Sequence, residues 1–98
     1  NKKADIRVQI KNNTKGVSVF HICNRGRAIA RNIRVEGLNV KGFDLIEGNI
    51  FPCEMMYPQD YMELEFWETR ECPRKLTLKL IWDDESGQNN VATKVITL

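Results

Sequence analysis

Apolar and polar residues alternate with period two along most of this chain. In the stretch ADIRVQIKN, Ile6, Val8 and Ile10 fall on one side and Asp5, Arg7, Gln9 and Lys11 on the other, the mark of a strand with one wet face. The turn formers NNTKG follow. VSVFHICN then carries β-branched and aromatic residues on both faces, and Asn24-Arg25-Gly26 ends it. A third strand, ARNIRVEGL, points Ile33 and Val35 the same way. FDLIEGNIF makes a weaker strand, and Pro52 and Pro58 then bracket a loop. Alternation returns in YMELEFWE, with Met62, Leu64 and Phe66 against Glu63, Glu65 and Trp67. KLTLKLIW sets Leu76, Leu78, Leu80 and Trp82 on one face. DDESGQNN reads as a turn, and VATKVITL closes the chain. No apolar stripe recurs at helical spacing for more than one turn, so no substantial helix is predicted.

The expected fold is therefore all-β: about seven short antiparallel strands in one domain covering residues 1–98. A strand with one apolar face must lay it on something. With no helix available, the cover is a second sheet roughly 10 Å away. The row Leu76, Leu78, Leu80 and Trp82 should form the centre, with Ile6, Val8, Ile10, Phe20, Ile22, Leu64 and Phe66 around it.

Composition changes little in this picture. The 98 residues are 42% hydrophobic and 29% charged, with 15 basic and 13 acidic residues and a net charge of +2. That excludes an intrinsically disordered chain and leaves no basic footprint for nucleic acid. The four arginines between Arg25 and Arg34 read as a solvated loop and strand face. The three cysteines, Cys23, Cys53 and Cys72, are too widely spaced for a zinc site and odd in number. Reduced thiols are expected, with a Cys53–Cys72 bridge as the alternative. No hydrophobic run approaches the ~20 residues that span a bilayer.

Two stretches carry a likeness to known modules. FHICNRGRAIARNIRVEGL supplies Phe20, Ile22, Asn24, Gly26, Ala30, Asn32, Ile33 and Val35, and LTLKLIWDDESG supplies Trp82, Asp84 and Gly87. This pattern resembles bacterial immunoglobulin-like and fibronectin-type β-sandwich modules. It is most similar to small bacterial proteins of no assigned activity in which a membrane helix and a basic stretch precede one such domain. The antibody-type Cys-Trp-Cys arrangement is absent. The resemblance implies an immunoglobulin-like sandwich and no enzymatic activity. It also implies a bacterial protein in the cytoplasm or at the cytoplasmic face of the membrane, tethered through a preceding segment. Lys2 and Lys3 would suit such a surface.

The candidate chemistry is sparse, and no cofactor is expected. Asp83, Asp84 and Glu85 could suggest calcium, but the ion needs six to eight converging oxygens. Three consecutive residues leaving a strand diverge, so turn chemistry is the expectation, with Gly87 in a left-handed position. Gly26 is expected to take a positive φ in its own turn. His21 and Cys23 lie about 6–7 Å apart on one strand face, too far for a nucleophile–base pair. There is no phosphate-binding glycine loop and no Gly-x-Ser-x-Gly, so no catalytic residue is predicted. The remaining feature is the proline-framed segment with Phe51, Met55, Met56 and Tyr57, together with Trp67. Exposed Met and aromatic side chains in a loop would make an adaptable contact surface for a protein partner. The competing reading has the segment plugging an open end of the sandwich. Trp67, Tyr57 and Tyr61 could alternatively form a sugar platform.

Overall fold

The computed structural model describes residues 2–12, 18–46, 51 and 53–98. Its strands are β1 (Ile6–Asn12), β2 (Ser18–Asn24), β3 (Ala30–Glu36), β4 (Phe43–Leu45), β5 (Cys53–Met56), β6 (Tyr61–Glu68), β7 (Lys75–Asp84) and β8 (Gly87–Thr97). They form two antiparallel four-stranded sheets, β1-β2-β6-β4 and β5-β3-β7-β8. There is no helix among the described residues, and so none long and apolar enough to cross a membrane.

The chain forms eight described strands where about seven were expected, and β5 is the addition. Its segment is not the loop that Pro52 and Pro58 suggested. Cys53 pairs with Ile33, Met55 with Arg31 and Met56 with Ala30. A four-residue edge strand is compatible with Pro58 two residues beyond its end, because there it costs no ladder hydrogen bond. The strand expected over residues 43–51 is shortened to β4; its residues 47–50 lie outside the described residues, as do 13–16 of the first turn.

The core is where the alternation placed it. Leu76, Leu78, Leu80 and Trp82 are buried, and Ile6, Val8, Phe20, Ile22, Leu64 and Phe66 face them from the other sheet. Ile10 packs half-buried at the margin. Phe20, Phe43 and Phe66 form a ring cluster with centroids 4.7–5.5 Å apart, the offset geometry that aromatic rings prefer.

Two bulges adjust the β5-β3-β7-β8 sheet. Arg31 faces Asp83 while Arg34 faces Ile81, so β3 carries one extra residue. That residue is Asn32, at φ 50°. The insertion lets Ala30 and Ile33, three apart, both point inward at 0% exposure. The second bulge is on β8, where Trp82 faces Asn90 but Asp84 faces Gly87. Its left-handed residue is Asn89 at φ 56°, whereas Gly87 sits near the extended region at φ 159°. The expectation for Gly87 is thus corrected: Asn tolerates the left-handed region better than other side chains, and Asn89 takes it.

One end of the sandwich is polar and closed. Asn24 is 0% exposed. Its Oδ1 accepts from the backbone N–H of Asp5 at 3.1 Å and Gly26 at 2.9 Å, and its Nδ2 donates to the carbonyls of Ala28 at 2.9 Å and Met56 at 3.0 Å. A buried amide with two donors and two acceptors used is fully satisfied. Gly26 is not at positive φ; it is required by approach. A Cβ there would lie 2.3 Å from the Lys3 carbonyl oxygen and 2.6 Å from the Ala4 Cα. The segment before β1 is held against this turn by Arg25 and Arg27 N–H donors to Asp5 and Lys3.

Candidate contact site

The Asn24 end also positions the connection from β5 to β6. Asn24 N donates to the Asp60 carbonyl at 3.0 Å, and Gln59 N donates to the Asn24 carbonyl at 2.7 Å. Within the turn, Asp60 N donates to the Tyr57 carbonyl at 3.0 Å, and Tyr57 N donates to Asp60 Oδ2 at 2.9 Å. Pro58 supplies the fixed φ wanted at the first central position. Gln59 stands at φ 69° in the second, where glycine is usual. The left-handed conformation costs a non-glycine residue about 1–2 kcal/mol, and the bonds to Asn24 hold it in place.

Along this connection Met55 on β5, Tyr57 in the turn and Tyr61 at the start of β6 are 39%, 53% and 63% exposed, with Met55 and Tyr61 on the outer faces of different sheets. Tyr61 stacks on His21 with ring centroids 5.0 Å apart, because Tyr61 pairs with Cys23 and Glu63 with His21 in the β2–β6 register. Glu63 Oε2 lies 3.5 Å from His21 Nδ1 without hydrogen-bond alignment. His21, Cys23, Arg25, Gln59 and Tyr61 line an open hollow of about 360 Å³.

The residues singled out from sequence do not gather in one place. Met56 is 3% exposed and Phe51 is half-buried, both packed with the core. Adjacent strand residues face opposite ways, and Met56 takes the inward turn while Met55 takes the outward one. Met56 is therefore removed from the contact set. Trp67 is 57% exposed on the outer face of β6, beside Asp44. It is six residues from Tyr61 along the strand, roughly 20 Å at 3.4 Å per residue, so these rings do not make one platform. Tyr61, expected only as part of a sugar platform with Trp67 and Tyr57, and Gln59, not expected at all, lie beside Tyr57 in the connection. The available signal was Pro58 and Asp60, two turn formers spaced for one tight turn between two strands.

The acids at the β7–β8 bend point to different donors. Asp83 Oδ1 accepts from Asn89 N at 2.8 Å and from the Arg34 guanidinium at 3.1 Å. Glu85 accepts from Lys2 N at 3.2 Å. Asp84 takes Ala4 N on Oδ2 at 2.9 Å, and Ser86 N and Oγ on Oδ1 at 2.8 and 2.5 Å. Burial pushes the Asp84 carboxyl up, but the bonds from the Ser86 side chain, Ala4 and the Ser86 backbone outweigh it and hold the group below its ordinary range. The Trp82 indole, close by, adds the smallest share of the lowering. Among the described residues no three His, Cys, Asp or Glu side chains cluster as a metal site would need.

All three cysteines are free, and the Cys53–Cys72 bridge is not formed. Burial, and then the negative Glu68, push the Cys72 thiol up, which keeps it protonated and a weak nucleophile. Comparison with protein-family models, with curated proteins and with solved structures returned no match.

Proposed function

We propose that the chain is an immunoglobulin-like module of a bacterial protein, not catalytic, that works by contacting a protein partner through the β5–β6 turn. The observation that carries this reading is the exposure of Tyr57 and Tyr61, in and just after a turn whose backbone is hydrogen-bonded to Asn24, with Met55 exposed where the connection begins. Rigid exposed aromatics bind with little ordering cost. The face-to-face four-stranded sheets and the Asn24 and Gly26 roles support the immunoglobulin-like assignment. Cytoplasmic placement, with a tether preceding the chain, rests on the sequence likeness and on Lys2 and Lys3. The small-ligand alternative, sugar at the rings or calcium at the bend, is weaker because the rings are dispersed and the carboxylates are engaged.

The test is a cross-linking pull-down with the parent and a triple variant, Met55→Ser, Tyr57→Ser and Tyr61→Ser. The reading expects partners lost from the variant while its unfolding midpoint stays within a few degrees. An identical set of partners from both proteins removes the turn as the contact.

A further inference from the structure

A different flank of the sandwich exposes two long strand edges. Each sheet ends there on a long strand: β1, of seven residues, and β8, of eleven. Each pairs on one side only, so the other side of its backbone has no ladder partner among the described residues. At the opposite edges, β4 and β5 have three and four residues, too short to guide an added strand.

A groove of about 350 Å³ runs between β1 and β8. Ile6, Val8, Leu80 and Ala92 form its apolar floor, and Arg25 and Lys94 stand at its rim. Its other rim charges, Asp5 and Arg7, are paired with each other at 3.0 Å. No ion pair engages Arg25 or Lys94 among the described residues. The two edge strands carry Arg7, Lys11 and Lys94 and no carboxylate.

Lys94 decides what this edge accepts. It pairs with Leu78 and so belongs to the core-facing row of β8, between Ala92 and Ile96, yet it is exposed. An inward-pointing lysine on an edge strand blocks pairing with another apolar strand. A second copy of β8 would bring a like charge. A strand carrying a carboxylate meets no such barrier. Val91 and Val95, 51% and 55% exposed on the outer face of β8, offer further apolar cover.

We infer that the β8 edge is a strand-addition site for an extended, acidic segment of a partner protein. The segment's backbone pairs with β8; of the alternate side chains that face inward, apolar ones cover the groove floor and a carboxylate among them meets Lys94 and Arg25. Main-chain bonds supply affinity in this mode, and the side-chain positions supply selectivity.

The test uses synthetic eight-residue peptides in which every second residue, the row meant to face inward, is Val except for one central Glu while the other positions are Thr, and a matched set with Lys in place of that Glu. Amide exchange by NMR reads where they bind. The Glu peptide is expected to slow β8 amides, with shifts confined to β8, β1 and Arg25. K94E should weaken the Glu peptide about tenfold and should strengthen the Lys peptide. Because Lys94 is on the surface, the variant keeps its fold, and the charge swap distinguishes lost recognition from lost structure. The inference is overturned if the parent binds both peptides equally, if it binds neither at millimolar concentration, if protection falls on β4 or β5, or if the parent dimerises through β8.

Discussion

Along β7, Leu76, Leu78, Leu80 and Trp82 meet a wall of Ile6, Val8, Phe20, Ile22, Leu64 and Phe66. Around Asn24, in the same sandwich, the side chain makes four directed hydrogen bonds, all to backbone. The two regions differ in what they specify. Apolar burial is non-directional and scales with area, so the β7 row fixes which faces meet but tolerates changes of shape. The amide bonds at Asn24 have one arrangement of donors and acceptors. They fix where the segment before β1, the turn before β3 and the end of β5 sit relative to one another, while the main chain of Asn24 holds the 57–60 turn beside them. The contact surface we propose is built at that polar end.

The largest effect should come from the apolar region. Trp82→Ala is expected to cost about 3–5 kcal/mol, much of the roughly 5–15 kcal/mol typical of a whole domain. Leu78→Met, which keeps volume, should cost less than about 1.5 kcal/mol. Urea unfolding of both checks the contrast. At the polar end, size alone should be damaging. Gly26→Ala forces a methyl against the Lys3–Asp5 backbone and should cost about 2–3 kcal/mol, with amides of the segment before β1 exchanging faster than those of β7.

How much of this difference can be read from sequence depends on whether a feature is local. The β7 row is local: period two and four large apolar residues suffice. So are the inward faces of β1, β2 and β6. Asn24 and Gly26 stand out as a motif, but their reason does not. Gly26 is set by the approach of Lys3 and Ala4, more than twenty positions earlier, not by its own φ. Met55 and Met56 cannot be told apart without the register of β5 on β3, because one step exchanges the faces. The Asn32 bulge, which brings Ala30 into the core, exists only relative to β7. The His21–Tyr61 stack needs the β2–β6 pairing. What the sequence misses is cross-strand register.

A smaller prediction concerns pH. The folded Asp84 carboxyl lies below its ordinary value, so the unfolded chain binds its proton more readily. The stability this group contributes is present above pH ~4, the unfolded value, and is lost as pH falls through the folded one. D84N should cost about 1 kcal/mol at pH 7 and should flatten the decline in unfolding midpoint between neutral and strongly acidic solution. Least of all, Trp67→Ala removes an exposed ring from the outer face and should change stability by less than about 0.5 kcal/mol, measured in the same urea series.

The comparison rests on the polarity of one side chain, and Asn24→Asp tests it most directly. The substitution hardly changes size, but at pH 7 it turns an amide that donates to Ala28 and Met56 into an acceptor facing both carbonyls. Urea unfolding at pH 7 should show a loss of about 3 kcal/mol or more, at least as large as that of Asn24→Ala. A loss within about 0.5 kcal/mol of the parent would contradict the account, since the polar end would then be held by something other than its directed hydrogen bonds.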